Sequence, residues 1–146
     1  MSAHSKALSE DSVKNAVVVY LCKHGWRPTD IKTITEHGVD IVMRKQNYGR
    51  YFCIEAKGDP SKNAFSPRSG RENRVIHSLG QLLTRINPDN GYYYGLAYPA
   101  SYRKTALLKL QFPSMLKKLK INLFFVGENG CVEHLTWKDL ALSRNA

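Results

Sequence analysis

Acidic residues are scarce in this chain: 12 Asp plus Glu stand against 22 Lys plus Arg, leaving a formal net charge of +10. An excess of that size argues against cationic partners and favours encounter with a polyanion, nucleic acid first. Long apolar runs are also missing. The longest, Ala16 to Cys22, has 7 residues, whereas a bilayer-spanning helix needs about 20. The N-terminus has no charged-then-apolar order of a secretion signal, so a cytoplasmic, nucleic-acid-associated protein without a membrane partner is expected. Cysteine is sparse: Cys22, Cys53 and Cys131 are odd in number and widely spaced, with no C-x-x-C pair. That argues against a disulfide framework and a zinc site, and it points to reduced, buried packing residues. Neither an internal repeat nor a composition break divides the chain, so residues 1–146 read as one domain.

What remains is a patterned α/β sequence. Ser9 caps a helix whose apolar positions Val13, Ala16, Val17, Tyr20 and Leu21 keep helical spacing, and Gly25 is placed to end it. Trp26-Arg27-Pro28 reads as a turn. Strands are expected around Ile31 and Ile34, from Val39 to Lys45 and from Arg50 to Lys57, the last two joined by the four-residue loop Gln46-Asn47-Tyr48-Gly49. Residues 58–71 read as a loop punctuated by Pro60, Pro67 and Gly70. A second helix follows, with Val75, Ile76, Leu79, Leu82, Leu83 and Ile86 as its stripe. Then come a strand from Tyr92 to Tyr98, helical pieces over Tyr102 to Leu110 and Pro113 to Leu119, and a closing hairpin of Asn122 to Val126 and Cys131 to Thr136. A helical turn over Trp137 to Leu142 is expected to end the chain. An antiparallel hairpin followed by a helical crossover implies a mixed central sheet covered by helices on both faces.

The hairpin concentrates charge. If Lys45 faces Arg50 across the loop, paired residue numbers sum to 95 and Asp40 stands opposite Glu55, with Cβ atoms roughly 5 Å apart on one face. Lys57, two residues beyond Glu55, projects from the same face. Like charges opposed across a ladder repel, so a cation must sit between them. Lys57 alone would make a cross-strand ion pair. A hard divalent ion fits the two carboxylates better, with the backbone carbonyl of Ala56 beside them. Mg2+ suits such an oxygen-only site, with Mn2+ as substitute, and is suited to phosphoryl chemistry. Lys57 would then orient the attacking water or stabilise charge developing at phosphorus.

Gly38-Val39-Asp40 and, with fourteen residues between the acids, Glu55-Ala56-Lys57-Gly58 at the end of an apolar strand resemble the signature of the PD-(D/E)XK nuclease superfamily, the restriction endonuclease-like fold. Tyr51 to Lys57 is especially similar to the corresponding strand of archaeal Holliday junction resolvases. The resemblance implies an αβββαβ core over residues 9–98 with residues 99–146 as an extension. It implies an endonuclease in which Asp40 and Glu55 bind metal and Lys57 assists phosphodiester hydrolysis, DNA being the expected substrate. Gln81 resembles the glutamine many members carry on the second core helix; alternatively it is an ordinary polar helix position. Two departures stand out. Val39 replaces a proline, and Lys14 stands where the resolvase-like pattern has a glutamate. Glu10 or Asp11, a turn earlier, is then the candidate extra acid, although both also suit a helix N-terminus.

Lys62, Arg68, Arg71 and Arg74 in or after the loop, and Arg85 on the second helix, are candidates for phosphate contacts or for a solvated surface. His77 reads as a surface histidine and His24 as a helix-end charge. Tyr92, Tyr93 and Tyr94 could stack on bases but more often fill both faces of a strand. Arg103, Lys104, Lys109, Lys117, Lys118 and Lys120 make the last third strongly basic. Many members of the superfamily pair two subunits, so a homodimer is compatible with so small a chain. The competing expectations are a catalytically silent nucleic-acid-binding module of the same fold, and a basic binding protein in which Asp40, Glu55 and Lys57 are only structural.

Overall fold

The computed structural model describes residues 7–29, 40–47, 49–60, 67–87, 89–110 and 117–139, with side chains from residue 69 onward in the second helix. A six-stranded mixed sheet runs through them in sequence order. Helix α1 (Glu10–Lys23) precedes strands β1 (Trp26–Pro28), β2 (Ile41–Lys45) and β3 (Tyr51–Ala56). Helix α2 (Pro67–Leu83), strand β4 (Tyr93–Pro99), a 3-10 turn (Ala100–Tyr102), helix α3 (Arg103–Lys109) and strands β5 (Ile121–Val126) and β6 (Val132–Leu135) follow. β3, β4 and β5 are mutually parallel; the pairings β1–β2, β2–β3 and β5–β6 are antiparallel. The αβββαβ order and the mixed sheet with helices on both faces are those expected.

Alternation along the strands divides the core in two. Phe52, Ile54 and Ala56 of β3 face α1, where Val13, Val17 and Leu21 are buried; Cys53 faces α2 with Val75 and Leu82. Burying a Val or Leu side chain contributes about 1.5–3 kcal/mol, so each helix is held mainly by this stripe. Ser9 caps α1 by accepting from the Ser12 N–H at 3.1 Å. Gly25, at φ +91°, takes the left-handed conformation that ends the helix.

Several boundaries differ from the sequence expectation. Trp26–Pro28 is a strand, not a turn: the buried Trp26 ring packs edge-on against Phe52 at 5.2 Å and Tyr93 at 5.8 Å, and the Lys45 ammonium lies 4.9 Å above it. Pro28 is tolerated because β1 is an edge strand. The strand expected around Ile31 and Ile34 lies outside the described residues. Helix α2 starts at Pro67, a residue suited to a first turn, so Arg68 and Arg71 are helical rather than in a loop. Ile76 and Leu83 are exposed; the buried line is Val75, Ser78 and Leu82, flanked by Leu79 and Ile86. Tyr94 is buried, and Tyr92 and Tyr93 pack on opposite core clusters, as side chains filling both faces. Residues 117–119 and 137–139 are helical, while 111–116 and 140–142 lie outside the described residues. β5 sits between β4 and β6 with all 6 residues buried, so part of the expected extension is core. Among the described residues no helix is long and apolar enough to cross a membrane.

Candidate metal and phosphodiester site

The hairpin register decides the site. Ile41 pairs with Ile54, Val42 with Cys53, Met43 with Phe52 and Arg44 with Tyr51. This is the expected in-step pairing, without a bulge, and one position further Asp40 stands opposite Glu55. Asp40 Oδ2 accepts a hydrogen bond from the Ala56 N–H at 2.8 Å. In an extended strand the N–H and C=O of one residue point to the same side, so the Ala56 carbonyl points to the β2 side of β3, the side from which Asp40 approaches. Lys57 takes the opposite turn, its N–H donating to the Ala97 carbonyl at 3.0 Å and fastening the end of β3 to β4.

Glu55 is 1% exposed. Burial, then the negative charge of Asp40 and a hydrogen bond with it, pushes its carboxyl up to about 8 against the opposing pull of Arg85 and Lys57. Arg85 Nη1 approaches Glu55 Oε1 to 3.4 Å, yet that oxygen has no hydrogen-bond partner among the described residues. Gln81 Oε1 is likewise buried without a partner. Arg85 joins the two residues, because the same Nη1 donates to the Gln81 carbonyl at 2.8 Å. Nearby Cys53 is buried as expected and held as a thiol, its pKa raised to about 11 by burial and the Glu55 charge; against that expectation Cys22 is half-buried and Cys131, in the turn before β6, is exposed.

Lys14 completes the cluster from the opposite helix layer. Its ammonium lies 3.3 Å from Glu10 Oε2 and 3.4 Å from Asp40 Oδ1. Although burial opposes it, Asp40 and Glu10 raise the Lys14 pKa. Glu10 therefore meets the site through an ammonium, while Asp11 is exposed. The Glu10/Lys14 spacing was legible as a helical i, i+4 pair; its proximity to Asp40 had no sequence signal.

Of the expected phosphate contacts, Arg85 belongs to the carboxylate cluster. Arg74 Nη1 reaches the Gly58 carbonyl at 3.5 Å, and Arg71 lines a cleft between α2 and α3. Lys62 and the Arg68 side chain lie outside the described residues. His77 is exposed, and His24 Nδ1 lies 2.8 Å from the Tyr20 carbonyl at the end of α1.

Sequence reasoning missed a clamp behind Lys57. Asp59 Oδ2 accepts the Leu8 N–H at 2.8 Å, Asp59 Oδ1 accepts the Ser101 hydroxyl at 2.6 Å, and the Asp59 N–H donates to the Leu8 carbonyl at 2.8 Å. The Tyr102 hydroxyl donates to the Gly58 carbonyl at 2.6 Å. The strand end carrying Lys57 is thus tied to the segment leading into α1 and to the 3-10 turn.

No group of three or more His, Cys, Asp and Glu that could hold a metal occurs among the described residues. Two carboxylates, one carbonyl and water nevertheless fit a hard ion that keeps much of its own hydration, and the unpartnered Glu55 oxygen is an acceptor such an ion would satisfy.

No family model matches the chain, and no curated protein matches it. Among solved structures, the crystal structure of an XisH family protein from Nostoc punctiforme is similar, with a TM-score of 0.52 and 20% identity. The match covers 86% of this chain and 99% of that one. At this identity the likeness concerns the fold.

Proposed function

We propose that this chain is a divalent-metal-dependent nuclease that hydrolyses phosphodiester bonds, with DNA as substrate. The observation that supports it most is the buried Glu55 carboxyl beside Asp40, with an oxygen left unpartnered among the described residues. A stability-driven design would replace such a pair, since burying like charges is costly. Asp40, Glu55 and the Ala56 carbonyl would hold Mg2+, with Mn2+ as substitute; the ion would supply Lewis acidity toward a phosphoryl oxygen and an acidified water. Lys57, held at its backbone by Ala97, presents an ammonium on the Glu55 face, where it orients the attacking water and offsets negative charge growing at phosphorus. Water oxygen bonds to phosphorus as the phosphorus–ester oxygen bond breaks, and the departing oxygen takes up a proton. Gln81 offers its side-chain amide beside Arg85 for positioning water or phosphate.

One observation favours a second reading. Asp40 and Glu55 already face Lys14 and Arg85 at 3.4 Å each, as they would in a nucleic-acid-binding module whose cluster is structural. Cleavage of plasmid, nicked, flapped, branched and single-stranded DNA with Mg2+ or Mn2+ separates the two. Lys57→Ala is expected to lose about 100-fold or more in cleavage while its DNA affinity in EDTA stays within about threefold. Wild-type inactivity across the panel with both metals favours the silent module.

A further inference from the structure

A second charged concavity lies away from the carboxylates. Helices α2 and α3 enclose a cleft of about 490 Å³ lined by Arg71, Glu72, Ser101, Lys104, Thr105, Leu108 and Lys109. Its volume falls in the range of sites that hold small ligands, about 300–1,000 Å³. Three cations and the Thr105 hydroxyl stand against one carboxylate, and that carboxylate engages Lys109 at 3.7 Å. Arg71 Nε is buried and has no hydrogen-bond partner among the described residues. A buried, unpaired guanidinium N–H is costly to leave unsatisfied, by about 1–3 kcal/mol or more, and a phosphate oxygen is the acceptor its fork geometry matches. Lys104 adds an exposed ammonium on the rim, and Leu108, 58% exposed, offers an apolar surface to a sugar or base.

The cleft is also mechanically joined to the proposed catalytic strand. Ser101 in its wall bonds Asp59, two residues beyond Lys57, and Arg74, one turn along α2 from Arg71, reaches the Gly58 carbonyl. β3 and β4 are parallel, so the residues after Ala56 and those after Pro99 emerge at the same end of the sheet. A strand of nucleic acid at Lys57 therefore has a basic surface continuing toward the cleft.

We infer that the α2–α3 cleft is a second phosphate subsite, in which Arg71, Lys104 and Lys109 hold a backbone phosphate of the bound nucleic acid other than the one being hydrolysed. The inference rests on the proposed function for the nature of the polymer, not for its test. Binding of a fluorescent DNA duplex is measured in EDTA, where neither metal nor cleavage contributes, over a range of NaCl concentrations. Arg71→Gln and Lys104→Glu are each expected to weaken binding about tenfold and to reduce the slope of log affinity against log salt by about one. Mn2+ affinity at the carboxylates should be unchanged. Lys104 is exposed, so its variant keeps the result readable should Arg71→Gln unfold. Affinity and slope unchanged in folded Lys104→Glu would overturn the subsite. So would a mononucleotide or inorganic phosphate binding the cleft while the variants bind duplex normally, since the source would then be a free anion. If the slopes fall but no cleavage is found on any substrate, the subsite stands and the nuclease reading fails. Cleavage with unchanged slopes has the opposite meaning.

Discussion

At the scale of single residues, Asp40 and Glu55 are held together by hairpin register, and the cations around them only partly answer their charge. In metal-free buffer near pH 7 Glu55→Gln should raise the urea midpoint, by about 1–2 kcal/mol of stability, because a neutral amide spares the fold the proton that Glu55, its pKa raised to about 8, must take up, while abolishing Mn2+ binding by calorimetry. Saturating Mn2+ should reverse the order, because only wild type gains binding energy. At the proposed metal site Lys14 would compete with an ion for Asp40 Oδ1, 3.4 Å away. Lys14→Ala is expected to tighten Mn2+ by roughly threefold to tenfold; weaker binding would mean Lys14 organises the acid rather than competing for it. His134 sits apart from this chemistry. Asn122 Nδ2 donates to the Tyr94 and Lys120 carbonyls, so its Oδ1 accepts from His134 Nε2 at 2.9 Å, and Nδ1 is left to receive the Tyr20 hydroxyl at 3.2 Å. The ring stacks on Phe124 at 4.4 Å, and burial lowers its pKa below the ordinary 6.5. The fold thus prefers neutral imidazole. The His134 contribution to stability is full above pH about 6.5 and falls as pH drops through that value toward the lower folded one, where the unfolded chain takes the proton first. Glu55, its pKa raised to about 8, works the other way over the same range by taking up a proton in the fold. The His134 loss is therefore read as the difference between wild-type and His134→Gln urea midpoints from about pH 7.5 to 5, which should shrink as the pH falls.

At the scale of elements, the junction of α1 with the end of β3 places Lys57. A Cβ on Gly58 would collide with the Glu10 nitrogen and lie 2.8 Å from the Ser9 carbonyl carbon and 2.9 Å from the Leu8 oxygen. All three are backbone atoms, which a side-chain rotation cannot move. Gly58→Ala should destabilise the fold by about 1–3 kcal/mol, read as a lower urea midpoint, and on the proposed nuclease reading it should slow cleavage beyond what lost stability explains by displacing Lys57. The glycine was visible in the sequence as part of the motif, but its reason was not: the contact is with a helix nearly fifty positions earlier. The hairpin was legible because a four-residue loop and two alternating strands leave one register that buries both apolar sets. β1 was not, since three residues that include a proline carry no alternation, and only Phe52, Tyr93 and Lys45 give Trp26 a strand environment.

For the molecule as a whole, the sheet does not stop where the resemblance to a nuclease core ends. β5 lies between β4 and β6 and its Ile121, Leu123 and Phe125 pack with Tyr94, Leu96 and Tyr98 in the α2-side core. Deleting residues 100–146 should consequently abolish the cooperative urea transition rather than leave a smaller stable domain, a result circular dichroism would show directly. The sequence by itself determined the α/β class, the basic character and the facing of Asp40 with Glu55, because each depends on composition, a period of two or a short loop. Tertiary structure alone decided that Lys14 and Arg85 arrive from opposite helix layers to meet those acids, that Asp59 ties the strand end carrying Lys57 to the segment leading into α1, and that Arg71 and Lys104 share a cleft. Those meetings are between residues far apart in the chain, and their distances follow from how helices seat on a sheet, which no local pattern encodes.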